Sequence, residues 1–463
     1  MTTTPDNPFL RLSSSFDPSH YYGSQTWVEF ALRSMISTPT ISMELIGLPG
    51  MGKTFLLRYL ADRDGPLKLN ANVLQARFKD EVKIFPVFVE FRLLPRQFHP
   101  YVYLFKRFRE EFKTSDVVNG NDEITALLDS RDPTTPGEAT GILEEALLAL
   151  SRQKVRTAFL FDDFHLAFGL LDQEETTRLR PWREAAVFII TTEKRLDKVN
   201  AEAAGSPFYQ TLQVVPFGGV PDQEARRIIG DPAQEAGWSF AKQDIDFALT
   251  YTDGHPLLLI TAGRAIWDAR NILGYIKGSR AAVSKDYSSM LVGQFKEWFH
   301  PIFKMYLDHL DAEEQQALSN AATADQQAPD EDRALAFLAK LGIVTFDRSS
   351  KTGHYKPFSP LLTDYLKERT AKSIKVSLEG ISAVEAELLQ YLEAHQREPV
   401  SYEELAQQVW KEKPETPREK KLMHKKIQVA VSRLRKKLQD SKKGDIVSMR
   451  EQGYILVWSD AAR

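Results

Sequence analysis

Residues Gly47 to Thr54 read GLPGMGKT, which meets the spacing G-x-x-x-x-G-K-T. Each residue type in that spacing has a task at a polyphosphate. Gly47, Gly50 and Gly52 let backbone N–H groups curl around phosphate oxygens, the Lys53 ammonium reaches the β- and γ-phosphates, and the Thr54 hydroxyl is a ligand for Mg²⁺. Phe55 follows directly as a further nucleotide contact. The apolar MELI precedes the loop and the helix-like FLLRYLAD follows it, so the loop opens a helix whose positive dipole end faces the anion. A chance match in a turn is the bland alternative, and these flanks argue against it.

About 110 residues on, TAFLFDDF runs four apolar residues straight into Asp162 and Asp163. A buried strand ending in a carboxylate sets that charge at the sheet's C-terminal edge, beside bound phosphates. Asp162 is the expected Mg²⁺ ligand, through water, and Asp163 the group that polarises an attacking water. Two acids capping the next helix would look the same in sequence. The following run, AVFIITT, ends in Thr191 and Thr192. Thr192 is assigned to holding the water or sensing the γ-phosphate, although threonine is also common at strand ends. Catalytic work is thus expected of Lys53, Asp162, Asp163 and Thr192, around a Mg²⁺-dependent ATP or ADP site.

Those residues need a scaffold that brings distant strand ends together. Short apolar runs at 42–46, 85–91, 158–161 and 186–191 read as strands, with amphipathic stretches between them. Strands alternating with helices argue for a parallel α/β sheet. Lys113 to Gly141, rich in Asp, Asn, Thr, Pro and Gly, reads as a long loop or insertion, and residues 320–332 as a polar connector. The length, 463 residues, suggests about three domains. With 43% hydrophobic and 27% charged residues there is apolar material for several cores. No cysteine is present, which excludes disulfides, thiolate metal sites and a cysteine nucleophile. The N-terminal MTTTPDNPFLRLSSS lacks a signal-peptide pattern and no run of 18 apolar residues occurs, so the expectation is a cytoplasmic chain with no membrane partner.

Charge concentrates near the C-terminus. Lys411 to Arg450 holds 14 basic residues against five acids, a net +9 that leaves the rest of the chain at −12. Such a block points to a polyanion; a solvated charged helix is the alternative. SYEELAQQVW reads as a helix capped by Ser401 with Glu404 closing a capping box. In KKIQVAVSRLRKKLQD, Ile427, Val431, Leu434 and Leu438 share one stripe. The opposite face carries Lys425, Val429, Ser432, Arg433 and Lys436, a basic front of the kind that enters a major groove. DIVSMREQGYILVW then reads as strand, turn and strand, a wing with Arg450 placed for backbone or minor-groove contact.

The phosphate loop, the FLFDD strand, the IITT strand and the later Gly254-His255-Pro256 together resemble the STAND class of signalling ATPases, relatives of AAA+ and origin-recognition ATPases, over roughly residues 7–370. The resemblance implies a helical lid in which Pro256 packs near the adenine, with Tyr22 and its neighbours bordering the base or ribose. Two departures stand out. Ser24 lies where arginine is usual, and TTEKR follows where Thr-Thr-Arg is common, which leaves the register of Arg195 doubtful. No arginine finger can be assigned; Arg178, Arg180 and Arg183 lie before the sensor strand. Residues 372–463 are similar to the OmpR/PhoB-type winged-helix effector domain, carried by SAVEAELLQYL, Leu405 with Val409 and Trp410, VSRLRKKL and QGYILVW. The receiver domain usual there is replaced by the ATPase, and KEKPETPREKKLM lengthens the approach to the recognition helix.

The expected architecture is an α/β P-loop NTPase core at 1–215, a helical lid at 216–298, a winged-helix-like regulatory module at 299–371 and a winged-helix DNA-binding domain at 372–463. The leading expectation is an ATP-binding and slowly hydrolysing switch that controls DNA binding, most simply a transcriptional regulator. Its partners would be double-stranded DNA, further copies of itself in a nucleotide-dependent way, and an unknown protein or ligand signal. Two rivals remain: a DNA-assembling mobile-element or remodelling ATPase, and a defence or signalling scaffold whose C-terminal domain binds a protein. No nuclease, protease or kinase constellation is visible.

Overall fold

Strand β1 (Met43–Ile46) is buried at every position, and β4 (Ala186–Thr192) likewise. That pattern suits the middle of a sheet covered on both faces. With β2 (Lys83–Glu90), β3 (Val155–Asp162) and β5 (Gln213–Pro216) they form one parallel sheet in the order β2-β3-β4-β1-β5. The computed structural model describes residues 6–12, 21–69, 83–118, 120–272, 285–323, 333–347, 353–377, 382–395, 399–440, 444–449 and 453–458. It forms two units, residues 1–321 with 326–362, and residues 322–325 with 363–463. Among the described residues no helix is long and apolar enough to cross a membrane.

Alternate residues of β2 face opposite ways. Phe85 meets Phe108 and Phe112 of the helix Pro100–Thr114, while Phe88 and Glu90 meet Arg58 of the helix Lys53–Ala61. The first face is an aromatic core that continues through Phe159, Phe161, Phe188 and Trp182. The helix Pro136–Arg152 closes it against β3. The expected loop between Lys113 and Gly141 is instead largely helical, at Asp122–Asp129 and from Pro136 onward. The polar residues that suggested a loop are caps: Asn121 accepts from the Ile124 N–H, and Thr135 forms a capping box with Glu138 ahead of Pro136.

Beyond β5 the helices Asp222–Glu235, Lys242–Thr252 and Pro256–Ile272 pack together around the stacked Trp238 and Trp267. The N-terminal Asn7-Pro8-Phe9 docks on this lid: Asn7 Nδ2 donates to Asp268 Oδ1 at 2.8 Å, and the Phe9 ring lies against Gly263. Helices Lys285–His309, Ala312–Thr323 and Arg333–Lys340 then lead into the antiparallel pair β6 (Val344–Asp347) and β7 (His354–Pro357), a winged-helix-like arrangement.

In the second unit, helices Ala383–Ala394, Tyr402–Gln408 and Pro417–Asp440 share one core with the hairpin of β8 (Gly444–Met449) and β9 (Gly453–Trp458). Val400 bridges to Tyr454 and widens the hairpin. Gly453 has a φ of 116°, and a Cβ there would sit 1.8 Å from the Val400 carbonyl oxygen, so only glycine fits the QGY turn. The recognition helix starts at Pro417, so PREKKLM is its first two turns rather than a separate approach segment.

Candidate functional site

The glycine spacing at 47–54 produces a tight loop whose last residue, Gly52, caps the helix Lys53–Ala61 in a left-handed conformation. Gly50 also has a positive φ, 75°, and its missing Cβ leaves room for Leu257 at the head of the lid helix Pro256–Ile272. The Leu257 N–H donates to Gly50 O at 3.2 Å. The head of the lid helix, which Pro256 opens, therefore lies against the phosphate loop through Leu257. Its neighbour His255 faces elsewhere: it is fully buried, stacks on Phe358 and approaches Gly342 O at 2.8 Å. Burial pulls its pKa down to about 4, so the ring is neutral.

Lys53 is buried and gives two hydrogen bonds to the loop itself, to Gly47 O at 2.7 Å and Leu48 O at 2.9 Å. Burial pushes its pKa down, against the opposing field of Glu193, Asp162 and Asp163. An ammonium has three protons, so one remains for a phosphate oxygen.

Because β4 lies between β3 and β1, its two threonines serve different neighbours. Thr191 Oγ1 donates to Asp162 Oδ1 at 2.5 Å and accepts from the Asp163 N–H at 3.2 Å. Thr192 Oγ1 donates to Glu44 Oε1 on β1 at 3.0 Å. Thr191 thus bonds the acidic pair, while Thr192, the residue assigned to the water or the γ-phosphate, bonds Glu44. Thr54 Oγ1 donates to the other oxygen of Asp162 at 2.7 Å, so the two expected Mg²⁺ ligands are adjacent. Burial raises the Asp162 pKa while both hydroxyls and Lys53 lower it. A buried carboxylate and a hydroxyl are hard oxygen donors, and a divalent cation beside them would offset the buried charge; the residues fit Mg²⁺.

Asp163 takes a left-handed φ of 51°, an unusual conformation of the sort found where a side chain must be aimed. Its Oδ2 accepts from Arg92 Nε at 2.7 Å, and the same guanidinium reaches Glu193 Oε1 at 3.2 Å. Asp163, His165 and Glu193 bring ligand atoms within 4.8 Å of one another, but Arg92 bonds both carboxylates and offsets part of their charge. Arg195 is held by Asp197 and Arg178 by Glu174. Tyr22 gives its hydroxyl to Glu235 of the lid at 2.8 Å, while Tyr21 stacks on Tyr59 of the loop helix at 4.1 Å. Phe55 is partly exposed beside Thr54. Sequence reasoning passed over Arg92, Glu44 and His309; a lone glutamate inside the apolar MELI and the Glu193 departure were the available signals.

The C-terminal unit offers a second surface. Ile427, Val431, Leu434 and Leu438 are buried, as the spacing predicts, with Met423 extending the stripe. Lys425, Ser432, Arg433 and Lys436 are exposed on the same helix. Arg435 is drawn inward instead, donating to Ile446 O at 2.6 Å, and Lys437 pairs with Glu385 at 2.8 Å. Arg450 lies outside the described residues. Residues 380–456 match the family model described as transcriptional regulatory protein, C terminal. This unit is a winged-helix DNA-binding domain. No curated protein matches the chain by sequence.

Among solved structures, the chain is similar to the Walker-type ATPase of Pyrococcus abyssi, at 14% identity over 79% of this chain and 99% of that one, with a TM-score of 0.42. It is similar also to the ORC2 protein of Aeropyrum pernix, solved in ADPNP–ADP complexes, at 13% identity over 80% and 99% with a TM-score of 0.42. The chain's own sheet order, phosphate loop and acidic strand end give the core the fold of a P-loop ATPase.

Proposed function

We propose that the chain is an ATP-binding, slowly hydrolysing switch that controls DNA binding by its winged-helix domain, most simply a transcriptional regulator. The observation that carries this reading is the Thr54–Asp162–Thr191 arrangement beside a GKT loop, in one chain with a transcriptional-regulator DNA-binding domain. Loop amides and the Lys53 ammonium would hold the phosphates, and Pro256, Tyr22 and Phe55 would border the base. Thr54 and Asp162 would hold Mg²⁺, which when bound neutralises phosphate charge. Asp163 would accept the proton of a water aimed at the γ-phosphate, with its backbone steadied by the Thr191 hydroxyl.

On the DNA side, Lys425, Ser432, Arg433 and Lys436 lie along the exposed side of the recognition helix, where Arg can read guanine and Lys can neutralise phosphate. Arg450 is proposed as a wing contact. Nucleotide-dependent assembly of several copies would multiply weak DNA contacts through effective concentration.

The test is duplex DNA binding by the full chain with ADP and with a slowly hydrolysed ATP analogue, using footprinting on randomised duplexes. Different protection with the two nucleotides, lost in Lys53→Ala, supports the switch. Equal protection with both refutes nucleotide control. Absence of duplex binding at moderate salt would move the C-terminal unit toward a protein partner, and DNA-stimulated turnover would favour a remodelling ATPase.

A further inference from the structure

Asp163 is one end of a chain of charges that leaves the phosphate side of the core. Arg92 joins Asp163 to Glu193, and Glu193 Oε2 then meets His309 Nε2 at 2.9 Å. Arg92 lies in the turn after β2, Asp163 follows β3, Glu193 follows β4, and His309 ends the helix Lys285–His309. That helix leads into the winged-helix-like module, so the chain of charges joins the hydrolysis side of the core to the module's first helix.

The charge states follow from the partners. His309 Nδ1 lies 2.7 Å from Met305 O. A ring nitrogen facing a carbonyl must carry a proton, and Nε2 facing a carboxylate carries one too, which makes His309 an imidazolium. Its pKa is raised, mainly by that bond to Glu193. Burial alone would raise Glu193, yet the His309 bond with the Lys53, His309 and His165 fields takes it down to about 2. Burial pushes the pKa of the nearby His165 down, and its Nε2 stands 3.9 Å from Glu193. One carboxylate is thus shared by two cations, and one guanidinium by two carboxylates.

Shared partners compete. When His309 leaves Glu193, the unopposed carboxylate draws Arg92 toward itself and loosens its hold on Asp163. A guanidinium bonded to Asp163 Oδ2 fixes that side chain and occupies an oxygen that would otherwise accept from a water. We propose that Glu193 is a positioning residue that sets, through Arg92, whether Asp163 Oδ2 is held by the guanidinium or left open to orient a water, and that His309 ties this setting to the position of the module's first helix. The proposal rests on the nucleotide hydrolysis put forward above.

The experiment compares Mg²⁺-ATP turnover by the full chain and by His309→Gln, Glu193→Gln, Arg92→Met and the Arg92→Met/His309→Gln pair. His309→Gln should raise kcat by about threefold or more with KM unchanged, and Glu193→Gln should lower it by a similar factor. In the Arg92→Met background, His309→Gln should add nothing. His309→Lys, which keeps a cation, should return kcat toward the parent. Hydrogen exchange across Phe299–His309 is followed in parallel without nucleotide, and both His309→Gln and Glu193→Gln should exchange faster there. Unchanged exchange in both variants overturns the contact. Faster exchange with the same kcat response in both Arg92 backgrounds overturns the coupling to Asp163. If no chain turns over ATP, the hydrolysis reading falls and takes the coupling with it, while exchange alone still decides the His309–Glu193 contact.

Discussion

Glu44 sits on β1, three residues before the phosphate loop, with its side chain fully buried. Its Oε1 accepts from the Thr192 hydroxyl at 3.0 Å and the Leu196 N–H at 3.3 Å, and Oε2 has no partner among the described residues. Ionising it there would bury a charge with one oxygen unpaired, and this burial raises its pKa from 4.5 to about 7. The folded form therefore keeps a proton that the unfolded chain has already released. The resulting stability is fully present below pH 4.5 and is lost as pH rises through about 7. That interval, at about 1.4 kcal/mol per pH unit, comes to about 3 kcal/mol. Glu44→Gln keeps the accepting oxygen and removes the titration. The stability difference between parent and variant should thus change by about 3 kcal/mol between pH 4 and pH 8, in favour of the variant at the higher pH. The readout is hydrogen exchange of the β1 and β4 amides in denaturant, corrected for intrinsic rates at each pH. Parallel pH profiles for the two proteins would refute the reasoning, because Glu44 would then ionise in the folded state as freely as in water.

Four further outcomes follow from the two surfaces. Thr191→Val removes the hydroxyl bonded to Asp162 and should weaken Mg²⁺-dependent ATP affinity by about 1–3 kcal/mol; titration calorimetry matching the parent would count against that bond. Asp163→Asn should retain bound nucleotide and slow turnover, and turnover at the parental rate would reduce Asp163 to a structural residue. In a salt series, Lys436→Ala should weaken all duplexes alike and lower the salt slope by about one, whereas Arg433→Ala should relax preference at one base by about 1–3 kcal/mol. Leu434→Ala, at a position with 0% exposure, should cost the winged-helix domain about 2–5 kcal/mol, read as earlier loss of protection in its three helices.

Local chemistry made much of this protein legible without its structure. A phosphate loop is a contiguous device: glycines, lysine and threonine act within one turn, so GLPGMGKT carries its own geometry. The recognition helix is equally local, since the spacing of Ile427, Val431, Leu434 and Leu438 sets the buried stripe by helical period alone. Four of the five core strands announced themselves as short apolar runs, as strands covered by the layers of a parallel sheet do, whereas the half-exposed edge strand β5 did not. The stretch from Lys113 to Gly141 misled for a local reason too, since Asn121, Thr135 and Pro136 serve equally in loops and at helix starts.

What only the tertiary structure decided is which side chains meet across the sheet. Strand order cannot be read from sequence order, and it is the insertion of β4 between β3 and β1 that sends Thr191 to Asp162 and Thr192 to Glu44. Arg92, Glu193 and His309 share no motif and span more than 200 positions of chain, yet they meet on one line of charges leading to Asp163. Charges of that kind gain meaning only from distance and burial, because a glutamate beyond a strand is a solvated residue until a fold closes a guanidinium and an imidazole around it.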